Sequence, residues 1–292
     1  MISRIVLFSV LALVGAVVSA GCGSTGAVQG RKSVVAAFYP IAYAVEQIAG
    51  SSVTVRNLTP AGAEPHDLEL TARDVRAVHD ADEVFFLGQG FMPGLARAVE
   101  SRNGGSTDLL QGQRLRLGRA EDGSPIRDPH VWLDPVRYAA MAETIGSTLG
   151  DGAAAHRFTA RLARLDSAYR QGLANCKRRQ IVTSHAAFGY LAQRYGLEQV
   201  PLEGLSPEAE PSARGIENLV ELVRSSGATT VFFETLISPK LAETVAREAG
   251  ATTAVLDPLE GLTDDRLARG ADYFRVMRDN LAALQKGLGC TL

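Results

Sequence analysis

Three histidines and one aspartate have the side-chain types and the local settings of metal ligands. They are His66, His130, His185 and Asp257. Neutral imidazole nitrogens bind Zn, Cu, Fe or Ni, and a carboxylate oxygen can complete a tetrahedral shell around such an ion. The four residues are far apart in the sequence, and no short-range pattern such as HExxH links them. Only folding can therefore assemble them into one metal site.

Several acidic residues are candidates for supporting this site. Asp67 or Asp128 could accept a hydrogen bond from the second ring nitrogen of a ligand imidazole, which would fix its tautomer. Helix capping or turn formation explains these two aspartates equally well. Glu64 is an alternative metal ligand, whereas His79 and His156 are expected on the surface. Other carboxylates lie in loops near strand ends, where they either line the site or are solvated: Glu203, Glu208, Glu210 and Glu234.

Short apolar, β-branched runs alternate with helical patterns and place most of the candidate ligands at strand ends. His66, His185 and Asp257 follow predicted strands, and His130 lies in a loop bounded by prolines. In open parallel sheets, ligands bind beyond the carboxyl ends of the strands. The predicted strands are 34–38, 53–58, 84–87, 180–183, 229–233 and 253–256. The predicted helices are 40–49, 71–79, one from Asp134, 153–174, 186–195, one from Ser212, 238–250 and 264–286.

This alternation occurs in two halves and predicts an α/β fold of two lobes with mainly parallel sheets. A long helical pattern without proline lies between the halves and is expected to join them as one rigid rod. Its apolar residues recur at spacings of three and four. They are Phe158, Leu162, Leu165, Tyr169 and Leu173. The predicted organisation is an N-terminal lobe at 33–152, a linking helix at 153–175 and a C-terminal lobe at 176–292.

The N-terminal residues have the pattern of an export signal. Arg4 precedes an apolar run at 5–18, which is shorter than the about 20 residues of a transmembrane helix. The small residues before Cys22 resemble a lipobox, although Ser19 stands where Leu is more common. Residues 1–22 therefore read as a signal peptide with a lipidated Cys22, and residues 23–32 as a flexible spacer. Ordinary cleavage near Ala20 and an uncleaved anchor are the alternatives.

Two cysteines remain in the exported chain, Cys176 and Cys290. An oxidising compartment and an even count favour a disulfide between them. A cysteine metal pair is the weaker alternative, because no CxxC spacing occurs. The chain has 292 residues and a net charge of −2, so nothing in its charge indicates a nucleic-acid partner.

Five segments resemble those of one family of solute-binding proteins. They are GAEPHDLELT, DPHVWLDP, IVTSHAAFGYLAQRYG, GLSPEAEPS and FFETLISPKLAETVAREAG. In this order, over about residues 34–289, the chain is similar to the solute-binding lipoproteins of zinc and manganese ABC transporters, the metal-binding cluster A-I family. The resemblance implies two α/β lobes joined by one long helix, with the metal ion between them. It also implies that the ligands are His66, His130, His185 and Asp257.

The resemblance implies that the residue at the third ligand position distinguishes zinc-binding from manganese-binding members. Manganese relatives tend to have Glu there and zinc relatives His, so His185 indicates a zinc-type member. A third imidazole also suits zinc better than Mn²⁺, which prefers oxygen ligands. Many zinc members have a histidine-rich loop ahead of the second ligand, whereas residues 112–127 contain no histidine here. This departure leaves open whether the protein captures zinc at very low concentrations or is less selective.

The resemblance implies a binding protein and not an enzyme. Such a protein would capture Zn²⁺, or alternatively Mn²⁺, at the extracytoplasmic face of the cell membrane and deliver it to an ABC-transporter permease. It is expected to be a monomer anchored by a lipid on Cys22. Loss of zinc is expected below about pH 6, where imidazoles become protonated.

Three other functions compete with zinc delivery. One is a manganese or iron carrier of the same type, and another is a surface adhesin. The third is a zinc hydrolase with Glu64 as its base, but a catalytic zinc keeps an open position for water. A fourth ligand at Asp257 would close that position.

Overall fold

The computed structural model describes residues 31–119, 124–206 and 213–291. The signal peptide with its lipobox and Cys22, most of the predicted spacer, Glu208, Glu210 and Ser212 lie outside the described residues. Within the part that is described, no helix is both long enough and apolar enough to cross a membrane.

The first half of the described chain builds a four-stranded parallel sheet flanked by helices. Its elements are β1 (Lys32–Ala36), α1 (Tyr39–Ala49), β2 (Val53–Asn57), α2 (Ala72–Asp80), β3 (Glu83–Phe86), α3 (Pro93–Glu100) and β4 (Gly105–Asp108). The strand order is β2-β1-β3-β4. Central strand β1 pairs on both sides, with Val34 opposite Val55 of β2 and Glu83 of β3. The chain therefore reverses its direction of strand addition at β1, which is where open sheets form ligand crevices.

A short hairpin and two helices connect the halves. They are β5 (Leu117–Arg119), β6 (Pro125–Arg127), α4 (Pro135–Leu149) and α5 (Gly152–Gly172), with a 3-10 turn at Val131–Leu133. Asp134 caps α4 through a bond from the Val136 backbone N–H, as its position before a proline predicts. At about 1.5 Å per residue, the 21 residues of α5 span about 31 Å.

The second half repeats the plan of the first with another four-stranded parallel sheet. Its elements are β7 (Gln180–Thr183), α6 (Gly189–Tyr195), β8 (Glu198–Pro201), α7 (Ala213–Ser226), β9 (Thr230–Phe233), α8 (Lys240–Ala249), β10 (Thr252–Val255), α9 (Asp264–Ala268) and α10 (Tyr273–Leu288). The order β10-β9-β7-β8 places the first strand between the second and the third, as in the first sheet. The predicted α/β class with two parallel sheets is thereby confirmed.

One buried core joins the first sheet to α4, α5 and α10. The apolar face of α5 contributes Phe158, Leu162, Leu165 and Tyr169, as their spacing predicts. A smaller core lies between the second sheet and its helices α7 and α8. The lobe boundaries at 152 and 175 remain a prediction.

Several elements differ from the sequence prediction. The predicted helix 264–286 is two helices, because the chain turns at Gly270 with a φ of 74° and Asp272 caps a new helix. The stretch 186–195 begins as a 3-10 turn, Ala186–Phe188, before α6. Helix α3, strands β4 and β8 and the β5–β6 hairpin were not predicted. These elements are short, and several strand residues are exposed, so hydrophobic periodicity marks them weakly.

The predicted disulfide between Cys176 and Cys290 is confirmed. It joins the segment after α5 to the residue that follows the C-terminal turn of α10. The Cys290 N–H donates to Gln285 O, and Gly289 ends α10 in the left-handed conformation. The bond therefore fixes the chain end beside the start of the second half.

Candidate metal centre

Four side chains from distant loops converge on one point. They are His66, His130, His185 and Glu260, and their donor atoms all lie within 4.8 Å of one another. The Nε2 atoms of the three histidines lie 3.2, 3.0 and 3.4 Å from Glu260 Oε1. Among the described residues, this is the one group of three or more His, Cys, Asp or Glu side chains close enough to hold a metal ion. Its donor set of three imidazoles and one carboxylate is a tetrahedral zinc set.

The four converging side chains are buried. The side chains of His130, His185 and Glu260 are fully buried, and that of His66 is 6% exposed. In the described part of the chain, His185 Nε2 and Glu260 Oε2 have no hydrogen-bond partner. Burying unpaired polar atoms costs free energy unless an ion or another partner satisfies them. A cation at the centre would give His185 Nε2 a partner.

The second ring nitrogens bond outward, so the inner nitrogens face Glu260 and the centre of the cluster. His130 Nδ1 donates to Asp128 Oδ1 at 2.9 Å, and His185 Nδ1 donates to Glu234 Oε1 at 2.5 Å. His66 Nδ1 lies 3.4 Å from the hydroxyl oxygen of Ser206. A carboxylate acceptor at Nδ1 places the proton there, so the lone pair of Nε2 points to the centre. Asp128 therefore has the supporting role that the sequence left open, whereas Asp67 is exposed.

His185 is placed by the central strand of the second sheet. It follows β7 directly, and its carbonyl accepts from the Thr183 hydroxyl at 2.7 Å and from the Gln199 amide at 2.9 Å. The Ser184 N–H donates to Phe232 O of β9. His185 is thus held by bonds from β7 and β8, and its neighbour Ser184 is bonded to β9, as the position at a strand end predicts.

His66 and His130 are carried by the first half of the chain. His66 lies in the loop after β2, where its ring meets the edge of Phe91 with centroids 4.7 Å apart. His130 lies just before the 3-10 turn that contains Trp132, whose indole N–H donates to Pro258 O at 2.7 Å. Because Pro258 belongs to the loop that carries Glu260, this bond holds the His130 loop against the carboxylate loop.

Asp257 does not join the three histidines, and Glu260 takes the place predicted for it. Asp257 is buried at the end of β10, where its Oδ1 accepts from the Leu259 N–H and its Oδ2 from the Thr235 hydroxyl. Oδ2 also pairs with the Arg266 guanidinium. Leu259 has a φ of 59°, so the chain turns back between Asp257 and Glu260. The turn aims the next side chain at the histidines.

Glu260 was not predicted because Asp257 already places a carboxylate directly after the predicted strand 253–256. The usable signal was a second acidic residue three positions after Asp257, in the segment DPLEG. A carboxylate in the same strand-end loop is as good a candidate by type and position. Deciding between the two requires the turn at Leu259 and the Arg266 partner of Asp257, neither of which a local pattern shows.

The other candidate residues surround the cluster or lie away from it. Glu64 accepts from the His66 N–H at 3.2 Å and does not belong to the four-donor group. Glu203 is half-buried beside the site, and Glu234 is the acceptor for His185. His79 and His156 are exposed on helices, as expected.

The buried carboxylates and imidazoles shift one another's pKa values. Burial lowers the pKa of His66. Burial also lowers the pKa of His185, but the charges of Glu234 and Glu260 outweigh it, so the net pKa lies well above the usual value. The pKa of His130 is raised in the same way, since its bonds to Asp128 and Glu260 outweigh the effect of burial. Burial and the charge of Glu260 raise the pKa of Glu64 to about 9.

Comparison with known proteins decides the family. A family model described as ZnuA, the periplasmic component A of the zinc-uptake complex, matches residues 34–287. The chain belongs to this family. It is 33% identical to the high-affinity zinc uptake system protein ZnuA of Bacillus subtilis over 91% of this chain and 90% of that protein. It is also 36% identical to the zinc-binding lipoprotein AdcA of Streptococcus pneumoniae over 91% of this chain, but it covers only 57% of AdcA.

Solved structures of similar proteins share the fold. The Zn(II)-bound ZnuA-like domain of Streptococcus pneumoniae AdcA superposes with a TM-score of 0.76 at 35% identity, covering 89% of this chain and 99% of that domain. The laminin-binding protein Lmb of Streptococcus agalactiae, described as a bifunctional adhesin and metal transporter, gives 0.78 at 29% identity, covering 88% and 99%. The family and its fold are thus shared over nearly the whole described chain.

Proposed function

We propose that this protein captures zinc outside the cell membrane and delivers it to the permease of an ABC importer. The observation that carries the proposal is the convergence of His66, His130, His185 and Glu260 in a buried centre. Three imidazoles and one carboxylate match the donor number and types of a closed tetrahedral zinc site. The family supports the same role, since its members include zinc-binding and zinc-uptake proteins.

The donor chemistry favours zinc over manganese and iron carried by a protein of the same type. Three nitrogen donors suit a borderline-soft ion, whereas Mn²⁺ prefers a shell of oxygen atoms. The outward bonds of His130 and His185 to carboxylates strengthen the imidazoles as donors. Zn²⁺ bound by three neutral imidazoles and one carboxylate has a net charge of +1.

The same geometry argues against a zinc hydrolase. A catalytic zinc keeps one position for water, with three protein ligands. Here Glu260 supplies a fourth donor, and Glu64 lies outside the four-donor group, where it accepts the His66 backbone N–H. We infer binding and release as the work of this site.

The proposal also includes a location at the membrane and a permease partner. Cys22 is the proposed lipid attachment, so that a monomer tethered at the extracytoplasmic face would meet its permease in the same membrane. Support for the anchor comes from the small residues before Cys22 and from the lipoprotein relative AdcA. A membrane permease partner follows from membership in a family of uptake components.

Metal competition tests the zinc assignment. The chain is stripped with a chelator, given equimolar zinc and manganese, and passed over a desalting column before mass spectrometry. We expect one zinc per chain, and none in a His185→Ala variant. His156→Ala is the matched control, because His156 is exposed on α5 and should leave the zinc content unchanged. Bound manganese would overturn the selectivity, and no bound metal would overturn the site.

A further inference from the structure

The carboxylate behind His130 has a cationic neighbour that faces a surface groove. Asp128 receives both the backbone N–H of His130, at 3.0 Å, and its ring Nδ1–H, at 2.9 Å, on the single oxygen Oδ1. Its other oxygen, Oδ2, lies 3.8 Å from Arg116 Nε. Asp128 is therefore shared between a ligand imidazole on one side and a guanidinium on the other.

The position of Arg116 is fixed by helix α6. The Arg116 guanidinium donates to Gln193 Oε1 at 3.1 Å, and its backbone N–H donates to the Tyr190 hydroxyl at 2.9 Å. The same hydroxyl donates to the Asp128 carbonyl at 2.8 Å. Arg116 and Asp128 are thus held together by residues from the second half of the chain, although both belong to the first.

A glycine makes room for this pair. A Cβ at Gly189 would lie 2.8 Å from Arg116 Nε and 3.1 Å from Asp128 Oδ2, so a larger residue would push the guanidinium or the carboxylate away. Gly189 begins α6, four residues after the ligand His185. The approach of Arg116 to Asp128 is therefore built into the backbone beside the site.

We propose that Arg116 weakens zinc binding by partly neutralising Asp128. A carboxylate that accepts the outer proton of a ligand imidazole makes the inner nitrogen a stronger donor and offsets the charge of the metal. A guanidinium on the far side of that carboxylate opposes both effects by offsetting its negative charge. The consequence is a site that releases zinc faster than its three-histidine shell alone would allow. This inference rests on the proposed zinc function and extends it to release.

The sign of the effect separates this role from a merely structural one. Loss of a structural contact would weaken zinc binding. Arg116→Met keeps most of the length of the side chain and removes its charge. We expect it to bind zinc about 3- to 10-fold more tightly, below the roughly 10- to 100-fold effect of a direct outer hydrogen-bond partner because Arg116 is 39% exposed.

The test measures zinc affinity against a competing chelator and the zinc dissociation rate at pH 8. Arg116→Met should release zinc more slowly by the same factor, and Arg116→Lys should behave as the wild type. Arg137→Met is the matched control, because Arg137 lies over the same Tyr190 ring at 4.5 Å but pairs with Asp134. It should leave affinity unchanged.

Two further arms show whether Arg116 acts through Asp128. In an Asp128→Asn background, Arg116→Met should have no further effect, because the charge that Arg116 neutralises is gone. If that background does not fold, raising the salt concentration tests the electrostatic origin of the effect, since screening should shrink the difference between Arg116→Met and the wild type.

The results that would overturn this inference differ from those that would overturn the zinc assignment. A wild-type protein that binds no zinc would overturn the proposed function. A wild type that binds zinc, together with an Arg116→Met variant of equal or weaker affinity, would overturn only this inference. An effect that persists in Asp128→Asn would also overturn it.

Discussion

Asp257 and Glu260 lie in one loop and divide two tasks between them. Asp257 accepts the Leu259 N–H and pairs with Arg266, and thereby holds the turn. Glu260 projects from that turn to the three histidines. At the residue scale, the proposed ligand is therefore separated from the residue that supports it, although both are acidic and only three positions apart.

Isosteric amides should distinguish the two tasks. Glu260→Gln should lower zinc affinity by more than about 100-fold, beyond the roughly 10- to 100-fold that outer partners contribute. Asp257→Asn should cost less zinc affinity and more conformational stability, because it weakens a buried ion pair without touching the metal. Chelator competition and urea unfolding of the metal-free proteins measure the two effects. A larger affinity loss in Asp257→Asn would restore Asp257 as the ligand.

Protons and zinc compete for the imidazoles, so zinc binding should depend on pH in a predictable direction. In the metal-free protein, carboxylate partners raise the pKa values of His130 and His185 despite burial. Protons therefore occupy these imidazoles at a higher pH than the usual histidine pKa of about 6.5, and zinc must displace them.

Zinc affinity should accordingly fall as the pH falls through these raised pKa values. The decline should begin above pH 6.5, at about tenfold per pH unit for each displaced proton. Competition titrations between pH 5.5 and 8.5, with proton release recorded in weak buffer, measure it. A flat affinity down to pH 6, with no protons released at pH 7, would contradict protonated imidazoles in the metal-free site.

At the scale of elements, local signals predicted most of the frame that holds the ligands. The helix predicted at 71–79 begins with a capping box at Thr71. The Asp134 cap of α4 and the apolar stripe of α5 also occur as predicted, because each depends on residues within a few positions. The break at Gly270 was missed because a helical apolar pattern continued across it. Register, strand order and the contact of Trp132 with Pro258 depend on distant residues, which a local pattern does not encode.

The Cys176–Cys290 disulfide closes a loop with a sequence separation of 114 residues. Replacing both cysteines by serine should lower the free energy of unfolding by about 2–4 kcal/mol, because the unfolded chain regains loop entropy. Urea unfolding of the metal-free protein measures this change. Zinc stoichiometry is the control and should stay at one, since the bond lies outside the metal cluster. An unchanged unfolding midpoint and slope would show that the bond contributes no stability.

At the scale of the whole molecule, both halves of the chain contribute residues to the centre, and the two halves have the same sheet topology. Each sheet has its first strand between the second and the third. The first half supplies His66 and His130, and the second supplies His185 and Glu260. The sequence predicted that the ligands would meet near strand ends. It could not decide which carboxylate completes the set, because that choice depends on the path of one loop.

Crystals grown with zinc and recorded at the zinc absorption edge test the four-donor centre most directly. We expect a single anomalous peak about 2.0–2.2 Å from the Nε2 atoms of His66, His130 and His185 and from a carboxylate oxygen of Glu260. A peak bound to Asp257 in place of Glu260, or a peak away from these histidines, would contradict it.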